Sequence, residues 1–162
     1  MTHSRGLMAL FVLLGTTSSK AHESKFDRLS GPKAIAVREA RRAGISPDLV
    51  LRILEHESRN CTMPTTQRTD LGCMQISRAT AKALRLDINR LKHDHEYNIV
   101  QGVAILAYFK ARYEASEPHD WYGRFNVGVG ALNHNRARLR ALYCKKVGYD
   151  TRHIRSIKLK RP

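Results

Sequence analysis

The chain has 162 residues, a length suited to one domain with one core. An apolar fraction of 42% and a charged fraction of 27% are those of a globular protein and argue against a disordered or fibrous chain. Charge is the unusual quantity: 29 Lys and Arg stand against 14 Asp and Glu, a net of +15, so an anionic partner or matrix is favoured. Nucleic acid, acidic lipid and cell-wall polymer all qualify, and charge alone does not choose among them.

The first residues have the layout of a secretory signal. Arg5 precedes the apolar run from Leu7 to Gly15, and Ser19 and Ala21 stand as small residues before a cut after Ala21. The alternative is a hydrophobic N-terminal helix. The run is too short for a permanent membrane anchor, which needs about 20 residues. No Cys lies near the cut, so a lipid-modified start is not expected. The expected organisation is a signal peptide at 1–21, a domain at 22–150 and a basic tail at 151–162. The expected location is the periplasm.

Helical spacing dominates the rest of the chain, and strand signals are weak. Lys33 to Ala43 predicts a first helix, ended by Gly44. Ser46-Pro47-Asp48 predicts the start of a second, with an N-cap hydroxyl, Pro at the first position and an acid in the first turn. This helix runs to about Arg59. Residues 60–72 predict a polar loop. Ser77 to Leu86 predicts a third helix capped by Ser77. Asp94 to about Ala115 predicts a long one, with Ile99, Val103, Leu106 and Ala107 on one stripe. Asp120 to Asn133 predicts a shorter helix, and Arg136 to Lys146 a last one. The tail from Arg152 to Arg161 has five Lys and Arg residues and no acid. The fold class is therefore mainly α.

Three cysteines, Cys61, Cys73 and Cys144, leave at least one outside any internal pair. Three pairings are open, and Cys61–Cys73 is the closest in sequence. The absence of a CxxC gives no support to a zinc ribbon or redox motif.

The second helix carries the candidate chemistry. At about 100° per residue from Leu49, Glu57 falls near 80°, beside the centre of the Leu49/Val50/Ile53/Leu54 stripe near 70°, and Glu55 falls near 240° on the far side. Burial raises a carboxyl pKa, and a raised pKa suits a general acid. The plainer alternative is a helix-end Glu that turns to water or pairs with an Arg.

The surrounding residues bear on that choice. Glu57-Ser58-Arg59 is followed by Gly72-Cys73-Met74-Gln75-Ile76-Ser77, with Glu57 and Gln75 18 positions apart. Then come Glu96-Tyr97-Asn98-Ile99 and later Phe125-Asn126-Val127-Gly128. This ordered set resembles the catalytic domain of soluble lytic transglycosylases, a goose-type-lysozyme-like fold, over about residues 40 to 135. Each short motif is weak alone; four in order with matching gaps are specific.

The resemblance implies a compact lysozyme-like helical domain with a substrate groove. It implies peptidoglycan as substrate and no cofactor or metal. Glu57 would protonate the oxygen between N-acetylmuramic acid and N-acetylglucosamine, then act as base on the muramic 6-hydroxyl, leaving a 1,6-anhydro end. The substrate's acetamido group would shield the cation in place of a second carboxylate, unlike the common two-acid pattern. Ser58 would bind substrate or orient Glu57. Met74 and Gln75 would line the groove, Asn98 would support it from the long helix, and Phe125 and Asn126 would close it. Small exported members of this kind accompany secretion or conjugation machines, which makes such an apparatus a candidate partner. The chain departs from the pattern at Phe125, where the family has Tyr, at Cys73, where it has Leu, and at Asn60, where it has an aromatic. A lost phenol at Phe125 removes a hydrogen bond to the acid on the order of 1 kcal/mol.

Rival readings are weaker. His56-Glu57 begins like a zinc-protease helix, but Asn60 stands where the second His is needed. The His93-Asp94-His95-Glu96 run reads as a solvated helix start rather than a metal site. A nucleic-acid module would use the basic tail and Arg136, Arg138 and Arg140, but aromatics are only 7% and export would separate it from nucleic acid. A water-using muramidase and a non-catalytic glycan-binding relic remain within the same fold. Because exposed charges are screened by salt, binding to purified anionic cell walls is expected to weaken as salt rises. Co-sedimentation across a salt series checks this, and salt-insensitive binding would contradict a charge-driven contact.

Overall fold

The computed structural model describes residues 25–63, 69–128 and 134–149. It is a mainly helical, lysozyme-like domain built from seven α-helices and one small hairpin among those residues. The expected signal peptide at 1–21 and the expected basic tail at 151–162 lie outside the described residues.

Helix α1 spans Gly31–Arg42, with Pro32 in its first turn, and ends as Gly44 takes a φ of 62°. Helix α2 spans Pro47–Ser58. The expected Ser46 cap is absent: its hydroxyl makes no cap bond, and Pro47 and Asp48 begin the helix without it. Lys25 holds the Asp48 carboxylate at 2.9 Å. The stripe of Leu49, Val50, Ile53 and Leu54 is buried, each side chain contributing about 2 kcal/mol. After α2, Arg59, Asn60 and Cys61 all have positive φ, at 48°, 58° and 68°. Non-glycine residues adopt that region at a cost, so other contacts must hold the turn. The Cys61–Cys73 disulfide does so, and the Ser58 hydroxyl accepts the Cys61 N–H at 2.9 Å.

The stretch expected as a loop closes with a strand, β1 (Asp70–Leu71), paired antiparallel with β2 (Ile76–Ser77). Helix α3 (Arg78–Ala83) begins at Ser77, whose hydroxyl accepts the Thr80 N–H as expected. Helix α4 (Ile88–His93) was not legible as an element of its own; Asp87 caps it through the Asn89 and Arg90 N–H groups. Helix α5 (His95–Tyr113) is the long one, capped by Asp94. Ile99, Val103 and Leu106 are buried in it, and Ala107 packs at the edge of the core. Both α1 and α4 pack on α5, and α1 also packs on α2.

The helix expected over 120–133 is instead a 3-10 turn (Trp121–Gly123) and a single helical turn, α6 (Arg124–Val127). Gly128, at φ 75°, stops it, and 129–133 lie outside the described residues. Helix α7 (His134–Val147) then packs on the 3-10 turn, α6 and α2. Arg140 secures it with ion pairs to Glu117 at 2.6 Å and Asp120 at 3.1 Å. Arg124, itself buried, donates to the same Glu117 at 3.0 Å.

One polar residue joins the hairpin to α5. Asn98 is fully buried, accepts the Met74 N–H at 2.7 Å and donates to the carbonyls of Leu71 at 2.9 Å and Leu91 at 2.8 Å. Gly72 leaves room for it: a Cβ there would stand 2.1 Å from the Asn98 amide nitrogen. Asn98→Ala strands three buried polar groups and is expected to lower unfolding stability by about 3 kcal/mol or more. A urea melt checks this; a loss under about 1 kcal/mol would show that the turn is held elsewhere.

Candidate functional site

A cleft of about 570 Å³ opens between the end of α2, the hairpin and α6. Glu57, Gln75, Phe125 and Asn126 line it, so four of the seven residues singled out from sequence come together. The other three do not face it. Ser58 is buried, and its hydroxyl donates to the Leu54 carbonyl while accepting from Cys61, so it finishes α2 rather than meeting substrate or Glu57. Met74 is fully buried against Gly102 of α5, where a Cβ would lie 2.6 Å from the Met74 Cγ. The Asn98 amide is spent entirely on backbone, so it supports the cleft from behind and cannot reach a ligand. In Glu57-Ser58 and Met74-Gln75 the adjacent residues diverge, and only one member of each lines the cleft.

The two carboxylates near the end of α2 lie on opposite faces of the helix. Glu55 is exposed, on the opposite side, and receives a bond from the Asn60 amide. Glu57 is partly buried and lines the cleft. Its pKa is pushed up to about 7, first by burial, with a further rise from the Asp70 charge. The Tyr143 hydroxyl opposes this by donating to Glu57 Oε1 at 2.7 Å. Burial and the neighbouring Glu57 carboxyl hold the Tyr143 phenol well above its ordinary pKa, so it stays a donor at neutral pH. One carboxyl oxygen is thus fixed by α7, and the arrangement can hold and return a proton near neutrality.

Tyr143 was missed in the sequence. It stands 86 residues from Glu57, in a helix that no motif marks. It supplies a phenol where Phe125 lacks one. His56 packs edge-on against it at 5.3 Å between ring centroids. Burial and the Lys146 charge lower the His56 pKa. Asp70, also missed, enters the cleft from β1, and Arg136 enters from α7.

Other candidates are engaged elsewhere. Asp94 caps α5 and pairs with Arg90 at 2.8 Å, and Glu96 pairs with Arg38 at 2.6 Å, which uses both acids of the His93–Glu96 run. Cys61, Cys73 and His95 place three ligand atoms within 4.8 Å of one another, but both sulfurs are bonded to each other. The Arg136/Arg138/Arg140 run is not a uniform basic face, since Arg140 is turned inward onto Glu117 and Asp120. Cys144 is the free thiol, and burial raises its pKa to about 11. Among the described residues no helix is long and apolar enough to cross a membrane.

Compared with known protein families, residues 35–146 match the transglycosylase SLT domain. No curated protein and no solved structure matches the chain.

The raised Glu57 pKa has a stability consequence. A carboxyl whose folded pKa exceeds its unfolded value stabilises the fold while protonated, and that contribution is lost as pH rises through the folded value. For Glu57 the window runs from about 4.5 to about 7. Glu57→Gln removes the titration, so it is expected to melt above wild type at pH 8, with the gap closing by pH 4. Calorimetry at both pH values checks the sign; a constant gap would show that Glu57 is not the titrating group.

Proposed function

The chain belongs to the transglycosylase SLT domain family, and on that premise we propose that it cuts peptidoglycan glycan strands by lytic transglycosylation with Glu57 as the acid and base. The family supports a transglycosylase-type activity on peptidoglycan. The observation that carries the finer reading is Glu57 itself, a carboxyl held near neutrality in an open cleft with one oxygen fixed by Tyr143.

The reaction needs a proton placed on the glycosidic oxygen as its bond to the muramic C1 breaks. Protonated Glu57 supplies it and becomes a carboxylate. Tyr143 stabilises that carboxylate by its hydrogen bond, which limits the cost of charge in a half-buried site. The muramic 6-hydroxyl then attacks C1 and gives its proton to Glu57. The acid is restored, no water is consumed, and a 1,6-anhydro end remains. Gln75, Phe125 and Asn126 would hold the sugars. Gln75 is suited to this because its backbone, at φ 47°, and its amide, which donates to the Gly72 carbonyl at 2.6 Å, fix where it points.

The basic surface fits an anionic wall. Residues 1–21 would export the chain to the periplasm, residues 22–150 would act there, and the tail at 151–162 would add to wall attraction. Service to a secretion or conjugation apparatus is consistent with that size and location.

Mass spectrometry of digested sacculi tests the reading. Wild type and Glu55→Gln are expected to release anhydro-ended fragments at similar rates, and Glu57→Gln to lose at least about 100-fold. Reducing ends in place of anhydro ends would make the enzyme a hydrolase. Equal loss in the two variants would remove Glu57 from its role.

A further inference from the structure

We infer that a second cavity, on the far side of α2 from Glu57, binds the carboxylate-bearing stem peptide of a glycan strand held in the cleft. This rests on peptidoglycan as the substrate and goes beyond the cutting reaction, because it gives a place to the part of the substrate that is not cut.

Position is the first argument. The cavity, of about 620 Å³, lies among the start of α1, the outer face of α2 and the end of α7. Asp48, Leu51, Arg52 and Glu55 line it at the i, i+3, i+4, i+7 spacing of one helix face, opposite the buried Leu49 and Ile53. His56 lines both this cavity and the cleft, so the two share a wall. A stem of four residues spans about 14 Å when extended, enough to pass that wall from a sugar seated beside Glu57.

Charge is the second. Lys33 of α1, Arg52 of α2 and Lys146 of α7 converge on the cavity. Among the described residues none of the three pairs with a carboxylate. A Cβ on Gly148 would lie 3.7 Å from Arg52 Nη1, so the guanidinium reaches across to the end of α7. Burial and then the Lys146 charge lower the His56 pKa, which sets that ammonium beside the shared wall. Asp48 is matched by Lys25 at 2.9 Å, so three cations face the one remaining charge of Glu55, which the Asn60 amide holds. Like charges gathered around a concavity favour an anionic ligand.

The floor narrows the choice of anion. Leu29, Leu51 and Val147 make it apolar. A bare phosphate has no use for such a floor, whereas a stem peptide presents alanine methyl groups between its carboxylates. A second copy of the chain is disfavoured by its own charge of +15. Each contact to an exposed cation is weak alone. They count together because a strand in the cleft holds its peptide at high local concentration.

The test titrates isotope-labelled protein with the free stem tetrapeptide and with the same peptide amidated at every carboxyl. The free peptide is expected to move the backbone amide resonances of Lys33, Arg52, Lys146 and Val147 along one saturating curve, with a Kd on the order of 1 mM. The amidated peptide is expected to bind at least about tenfold more weakly, and Arg52→Gln/Lys146→Gln to weaken the free peptide about fivefold. Lys82→Gln/Arg112→Gln removes the same net charge elsewhere and is expected to keep the wild-type Kd within about twofold. On glycan strands, the ratio of kcat/KM for peptide-bearing over amidase-stripped substrate is expected to fall about fivefold in the Arg52/Lys146 variant, through KM. No saturable shift at these residues, equal binding of the amidated peptide, equal loss in the remote pair or an unmoved ratio would overturn this inference and leave the cutting reaction standing. A wild type that binds the peptide here and releases no fragments overturns the lytic reading and upholds the site.

Discussion

A carboxyl group half withdrawn from water is the constraint around which this domain is arranged. Taking Glu57 out of solvent raises its affinity for a proton and costs stability once it ionises. The fold tolerates this because the surroundings are fixed before any ligand arrives. The Tyr143 hydroxyl reaches in from a helix far along the chain. That helix is itself held by Arg140 on Glu117 and Asp120. The proton site is therefore a product of tertiary packing, with α2 supplying the acid and α7 the donor.

The opposite wall is fixed by different means. A two-residue ladder is too short to be stable alone, and this hairpin is not left alone. Asn98 binds its backbone to α5, and the Cys61–Cys73 bond joins it to the turn after α2. Three consecutive left-handed residues at that turn are the counterpart of this closeness. Such conformations persist where surrounding bonds over-determine them, often beside working sites.

Much of the framework was legible in the sequence because its signals are local. Pro47, Ser77 and Asp94 each mark a helix start with chemistry confined to a few residues. The buried stripe on α2 follows from helical period, and so does the contrast between Glu55 and Glu57. Where reading failed, the cause was length or distance. The six residues of α4 are too few for a period to show. Gly128 ends α6 where a helix was expected to run on to Asn133. The resemblance implied that Ser58 meets substrate or Glu57 and that Met74 lines the groove, but neighbours on a helix or tight turn point in different directions. Tyr143 and Asp70 carry no pattern at all; only the folded chain brings them to Glu57.

The third cysteine illustrates what a packed environment does to a reactive atom. Cys144 rests against the 3-10 turn, where a Cβ on Gly123 would come within 2.7 Å of its sulfur, and it points at the Asp120 carbonyl. With a thiol pKa of about 11, only about one molecule in ten thousand carries a thiolate at pH 7. Disulfide shuffling proceeds through thiolates, so the odd sulfur is a poor attacker of the ring that closes the cleft. An oxidising compartment can then harbour an unpaired cysteine without covalent dimers or scrambled isomers, and alkylating reagents at neutral pH should pass it by.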